Sequence, residues 1–112
     1  MQFAIRKVYD VLVVDLDGRL DSRSVGDVGD QLVHLAQGAQ RRVLLNLAEV
    51  TYISSAGLRV ILRAAKLAQE NHGEVKICSA SDGVKEVLET AGFDSLIKLY
   101  SSEQAAVSAF RI

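Results

Sequence analysis

The chain has 112 residues, of which 49% are apolar and 24% charged. That length suits one domain, residues 1–112, whose core needs neither disulfide nor metal, and the composition argues against disorder. With 13 Lys and Arg against 14 Asp and Glu, the net charge is −1, which gives no electrostatic case for nucleic acid or an anionic membrane surface.

Phe3–Val8 and Val11–Leu16 are β-rich runs separated by Tyr9-Asp10, the pattern of an opening hairpin. Gly18-Arg19-Leu20-Asp21 reads as a loop. Val25, Val28, Leu32, Leu35 and Ala36 then recur at helical spacing. Gly26 and Gly29 each cost that helix about 1 kcal/mol against alanine, and Gly38 reads as its stop. Val43–Leu47 reads as a buried strand, with Val50–Ile53 leading into a loop. From Ala56 to Asn71 the pattern is strongly helical. Leu58, Ile61, Leu62, Ala65 and Ala68 fall on one face, and Arg59, Arg63, Lys66 and Glu70 on the other.

Gly73 is read as the end of that helix. Val75–Ala80 follows as a strand, Gly83–Ala91 as a helix ended by Gly92, and Leu96–Tyr100 as a strand. Glu103–Phe110 is a last helix with Ser101 or Ser102 as its cap. Strands alternating with helices imply crossover units and parallel pairing, with one antiparallel pair from the hairpin. Right-handed crossovers place about four helices mainly on one face of a mixed α/β sheet of about five strands.

The apolar runs, such as Val11–Val14, fall far short of the ~20 residues of a membrane span. The N-terminus has no apolar signal segment, so the expectation is a cytoplasmic protein. Cys78 has no second cysteine to pair with and reads as a small core residue of a strand. His34 and His72 read as helix-end residues, too far apart in sequence for a zinc site. Neither G-x-x-x-x-G-K-[ST] nor G-x-G-x-x-G occurs, so no cofactor is expected. Ser55 sits where a strand region passes into a helix, but a nucleophile elbow needs glycine on both sides. Gly57 is present, whereas Ile53 occupies the other position, so the chain reads as no enzyme. Asp15, Asp17 and Asp21 do not match a calcium loop and read as a solvated polar turn.

Tyr52-Ile53-Ser54-Ser55-Ala56-Gly57-Leu58 joins a strand region to the strongest helix. Ser54 or Ser55 is its N-cap, accepting a hydrogen bond from an otherwise unpaired backbone N–H. Two consecutive serines are one more than capping requires. A helix N-terminus carries about half a positive charge, so a phosphate there is tolerated by the domain itself.

In this segment the chain resembles the STAS family, and within it the single-domain bacterial anti-sigma factor antagonists. Tyr52–Leu58 is similar to the family's phosphorylation-site motif, an aromatic, an aliphatic, then Asp-Ser-Ser/Ala-Gly-Leu. Gly18-Arg19-Leu20-Asp21 resembles the family's Gly-x-Leu-Asp, and Val43–Leu47 precedes the motif as a strand should. The resemblance implies the STAS fold for the whole chain and makes Ser55 the phosphate acceptor, with Ser54 as the alternative. Ser54 stands where the family has aspartate, so the hydrogen-bonding group is kept and the charge is lost.

The resemblance further implies partner switching. The unmodified protein binds an anti-sigma factor, a serine kinase of the GHKL ATPase type, and phosphorylation of Ser55 breaks that complex. A metal-dependent serine phosphatase resets the cycle. The implied binding face holds Gly18, Leu20, Asp21, Ser54, Ser55, Gly57, Leu58 and Arg59. Nucleic acid, membrane and cofactor play no part, and the chain is a monomer or weak dimer. The alternative is a STAS module in another role, such as a lipid-transport ATPase subunit or a stress-signalling scaffold without serine phosphorylation.

Overall fold

The computed structural model describes residues 1–110. Strands β1 (Gln2–Val8) and β2 (Val11–Leu20) form the expected antiparallel hairpin, with Val8 opposite Val11. The tight turn between them holds Tyr9 at φ 55. Helix α1 (Val25–Ala36) leads to strand β3 (Arg42–Ile53), which pairs parallel with β2. Helix α2 (Ser55–Glu70), strand β4 (Glu74–Cys78), helix α3 (Asp82–Thr90), strand β5 (Leu99–Tyr100) and helix α4 (Glu103–Phe110) follow. The sheet order is β1-β2-β3-β4-β5, and every pair after the hairpin is parallel.

The core lies on both faces of the sheet. Val14, Leu16, Leu45, Leu47 and Ile77 meet α1, α2 and α3 through residues such as Leu32, Ile61 and Leu88. On the other face Val11, Val13, Leu44 and Cys78 meet Ala106, Val107 and Phe110 of α4. Three helices on one side and one on the other is the mixed α/β arrangement that the alternation of elements implies. Cys78 is buried as expected, and burial pushes its thiol above the usual range.

Three boundaries, the ends of β2 and β3 and the start of β5, differ from the sequence reading. Gly18, Arg19 and Leu20 are not a loop but the end of β2, held opposite Val50, Tyr52 and Ile53 of β3. Val50–Ile53 is likewise strand rather than the approach to a loop. The register shifts beyond Asp15 and again beyond Gly18, which sits at φ 117. These irregularities break the period-two pattern that a sequence reading depends on. At the other end, Leu96 and Ile97 are not strand, because Phe93–Ser95 make a 3₁₀ turn and the Ile97 N–H donates to the Phe93 carbonyl at 2.7 Å.

Of the three glycines read as helix stops, only Gly92 is left-handed, at φ 80. After α2 the left-handed residue is His72, at φ 62. Gly73 is needed for a different reason: a Cβ there would lie 2.5 Å from the Arg41 carbonyl oxygen. Serines cap the later helices, with Ser81 accepting from Val84 and Ser102 from Ala105.

Asp15 does not belong to a solvated turn. Its carboxylate receives Arg6 Nε at 2.5 Å and a second guanidinium nitrogen at 2.9 Å. The same guanidinium reaches Glu103 of α4 at 2.5 Å, and Asn46 Nδ2 donates to that carboxylate at 3.2 Å. Arg6 therefore pins α4 onto the hairpin. Nearby Lys76, only 6% exposed, pairs with Glu74 at 3.0 Å and lies 5.0 Å from the centroid of the Phe110 ring. Its charge lies in an aromatic-lined edge of the core, a placement that sequence patterning does not show.

Arg6 holds the Glu103 carboxyl below its usual value of 4.5. A depressed carboxylate stabilises the fold above the unfolded value and loses that contribution as pH falls through the folded one. Glu103→Gln should thus cost about 0.5–1 kcal/mol near neutrality, a figure kept small by solvent screening of this half-exposed pair. The gap to the unsubstituted chain should close as pH falls below 4.5. Urea denaturation at several pH values measures it, and a gap constant with pH would contradict the assignment.

Candidate functional site

Parallel pairing of β2 with β3 carries the ends of both strands to one edge of the sheet, with Arg19 opposite Tyr52 and Leu20 opposite Ile53. The chain then turns directly into α2. The Ser54 N–H donates to the Leu20 carbonyl at 2.9 Å, so the start of the helix is tied to the end of β2. Ser54 has extended backbone, and its Oγ accepts the Gly57 N–H at 3.1 Å. Its carbonyl accepts the Leu58 N–H at 2.9 Å. The Ser54 hydroxyl oxygen and carbonyl thus serve the helix start, and its N–H ties that start to β2.

Ser55 is the first helical residue and is exposed. Among the described residues its hydroxyl makes no hydrogen bond, so the cap falls to Ser54 alone. No acidic residue lies in the first turn of α2. The helix N-terminus presents partial positive charge there, and Arg59, four residues on, follows on the same face. An anion on Ser55 Oγ would meet favourable charge on the protein's own surface.

Gly57 explains why the helix can start so close to β2. A Cβ at that position would fall 2.8 Å from both the Leu20 carbonyl oxygen and Leu20 Cγ, and 3.1 Å from Ile53 Cγ2. Only a residue without a side chain lets the first turn rest on the strand ends. The two motifs quoted from the sequence are therefore one structural unit, joined at Leu20 and Gly57.

The segment after β2 is fastened by its own polar groups. Asp21 Oδ1 accepts the Arg23 N–H at 3.0 Å, and Ser24 Oγ donates to the Arg19 carbonyl at 2.8 Å. The Arg23 N–H, and then the Arg19 guanidinium 3.4 Å away, hold the Asp21 carboxyl below the usual carboxylate range. That guanidinium also lies 4.3 Å from the centroid of the Tyr52 ring, an exposed cation–π contact across the strand pair.

The eight residues singled out from the sequence all converge here, but not in one role. Ser55 and Arg59 are exposed, while Gly18, Asp21, Ser54 and Leu58 are half-buried. Leu20 and Gly57 are buried, so they position the surface and do not form it. Arg19 and Tyr52 belong to the exposed face and were not singled out. The signal for them was their cross-strand pairing, which becomes visible only with the register. Asp15 and Asp17 lie farther back along β2, and no three His, Cys, Asp or Glu side chains converge as a metal site among the described residues.

Gly57→Ala should destabilise the chain by about 1–3 kcal/mol, the usual cost of forcing one extra carbon into a packed contact. Gly83→Ala supplies the control. It also lies in an early helical turn, but a Cβ there has nothing within 4 Å, so it should be neutral or stabilising by about 0.4–1 kcal/mol. Chemical denaturation of both variants checks the pair. Equal effects would refute the contact with Leu20.

Comparison with known proteins places the fold in a family. The STAS domain model matches residues 2–106. BtrV of Bordetella bronchiseptica, a candidate anti-sigma factor antagonist, is 35% identical over 99% of this chain and 96% of its own length. An anti-sigma-factor antagonist (STAS) domain protein from Planctomyces limnophilus superposes with a TM-score of 0.85 at 28% identity, over 96% of this chain and 95% of that one. The Bacillus cell fate determinant SpoIIAA, an anti-sigma factor antagonist, shares the fold in two solved forms. The unphosphorylated form gives a TM-score of 0.82 at 20% identity, covering 98% of this chain and 96% of its own. The phosphorylated form gives 0.74 at 19%, covering 97% and 99%. With a family match over nearly its whole length and a relative of this identity, the chain belongs to the STAS domain family.

Proposed function

We propose that this chain is an anti-sigma factor antagonist that acts by partner switching, with Ser55 as its phosphate acceptor. The observation that carries the reading is the division of labour between the two serines. Ser54 is consumed as the cap, while Ser55 offers a free, exposed hydroxyl one residue later. Relatives named as anti-sigma factor antagonists support the partner class, and the existence of SpoIIAA in unphosphorylated and phosphorylated forms supports the modification.

In this reading the unmodified chain docks on an anti-sigma factor that is a GHKL-type serine kinase, through the surface around Ser55, Leu58, Arg59 and the Gly18–Asp21 strand end. The kinase transfers the γ-phosphoryl group of ATP to Ser55 Oγ, ADP leaves, and the hydroxyl proton passes to a base of the kinase. A metal-dependent phosphatase hydrolyses the phosphoserine and restores the hydroxyl. The catalytic groups belong to the partners, so the chain is substrate and ligand in the cytoplasm and not an enzyme.

Magnitudes favour a switch at the interface over unfolding. An anion at an exposed helix N-terminus is favourable by about 0.3–1 kcal/mol. The same group, with about −1.5 to −2 charges, costs several kcal/mol when enclosed without a partner in a protein interface. Roughly 2.7 kcal/mol already weakens binding about a hundredfold. Ser54 in the family's aspartate position leaves the cap without a charge, so the helix terminus repels an incoming phosphate less than an aspartate cap would.

Incubation with the cognate kinase and ATP, read by intact mass and peptide mapping, should add one phosphate at Ser55. Ser55→Ala should abolish the gain and bind the kinase constitutively, whereas Ser55→Asp should bind at least about tenfold more weakly. Ser54→Ala should lose about 1 kcal/mol of stability with its cap and still be phosphorylated. Phosphate on Ser54, or equal kinase affinity for the two Ser55 variants, would contradict the proposal. A chain that binds its partner and gains no phosphate would instead be a STAS module in a different role.

A further inference from the structure

Six exposed charges on α1 and α2 have no ion-pair partner among the described residues; Glu70 ends α2, and the other five are Asp27 and Asp30 on α1 and Arg59, Arg63 and Lys66 on α2. They form an acidic stripe beside a basic one. Both helices return antiparallel to β2, β3 and β4, so they run side by side in the same direction. Their level is fixed where Gly29 lies against Val60, with a Cβ at Gly29 falling 3.3 Å from Val60 Cγ2. That contact places Asp27 near the level of Arg59, and Asp30 near that of Arg63. Between the stripes runs an open groove of about 300 Å³, kept shallow in side chains by Gly26 and Gly29, with Asp30 on one wall and Arg63 on the other.

In the isolated chain this arrangement is unfavourable. Arg59 and Arg63 are like charges four residues apart, and Arg59 lies near the positive end of the helix dipole. Asp27 and Asp30 across the groove offset this only at longer range, since neither makes an ion pair with the α2 cations among the described residues. A uniformly acidic or basic partner would attract one stripe and repel the other. A surface of the same design, turned over, attracts both.

We infer that this face pairs with a second copy of the chain. A two-fold axis along the groove lays α1 of each copy over α2 of the other at the same level. Asp27 then faces Arg59 of the partner subunit, and Asp30 faces Arg63 of the partner subunit. Each contact occurs twice, as an isologous interface requires. The glycines of α1 permit the close approach, and Lys66 stays at the rim. The inference does not rest on the assignment of Ser55, although self-association would cover Arg59 and so compete with any partner that docks there.

Sedimentation equilibrium of the full chain tests it. The chain should show a concentration-dependent monomer–dimer equilibrium that weakens as salt rises from about 50 to about 500 mM, because the Debye length shrinks severalfold over that range. Asp27→Lys/Asp30→Lys should weaken self-association roughly tenfold or more, and so should Arg59→Asp/Arg63→Asp. The decisive sample is a one-to-one mixture of the two variants, whose surfaces are complementary again in every pair. It should dimerise at least as well as the unsubstituted chain. A chain that remains a monomer to about 1 mM at low salt overturns the inference, since that bounds the affinity below any useful value. So does a dimer that neither variant weakens, or a mixture that stays monomeric while each variant keeps its circular dichroism spectrum.

Discussion

The first turn of α2 rests on Leu20, and the surface at this end of the sheet follows from that contact. Gly57 removes the one carbon that would collide with the Leu20 carbonyl and side chain. The Ser54 N–H then reaches the same carbonyl, and the Ser54 hydroxyl closes the helix end. With these three positions set, Ser55 has one direction left, outward. A residue larger than glycine at position 57 would lift the helix and change what the protein presents to any partner. The buried members of the two motifs therefore act at a distance from the surface they shape. Their effect on binding comes through geometry, not contact.

The electrostatics of the molecule are divided between its two faces. On the side of α4, charge serves the fold: Arg6 joins Asp15 to Glu103, and Lys76 is enclosed by Glu74 and aromatic rings. On the outer face of α1 and α2, Asp27, Asp30, Arg59, Arg63 and Lys66 are exposed and make no ion pair among the described residues, next to the Ser55 hydroxyl. Structural ion pairs are spent within the chain, while the free ones sit where another molecule can reach them. A phosphate added at Ser55 would act on the second group and leave the first untouched. Under the proposed switch, this separation would let one small domain change its surface without changing its core.

Much of the architecture is legible in the sequence because its apolar spacing is regular. The spacing of Ile61, Ala65 and Ala68 along α2, and the run Val43–Leu47, each match one element with the expected face inward. The reading fails where geometry is irregular. Gly18 at φ 117 and the register shifts beside it hide the last residues of β2, and the 3₁₀ turn at Phe93–Ser95 with the turn that follows it delays the start of β5 to Leu99. Long-range polar pairing is equally invisible. Nothing local marks Arg6 as the partner of Glu103, 97 positions away. The candidate site was legible as a motif, since Ser54, Ser55 and Gly57 fall within four consecutive residues. The choice between the two serines was not, because both suit a cap by type and only backbone conformation decides which hydroxyl faces the Gly57 N–H.

The proposed switch depends on one property, that charge added at Ser55 is absorbed locally by the surface around it. Amide chemical shifts of the chain phosphorylated at that residue, compared with the unmodified chain, address it directly. The shifts should move in the first two turns of α2 and at the neighbouring end of β2, while amides of buried residues such as Leu44, Ile77 and Val107 stay in place. Displacement of those core amides, or a collapse of spectral dispersion, would mean that the modification disturbs the fold itself, and the proposed switch would lose its physical basis.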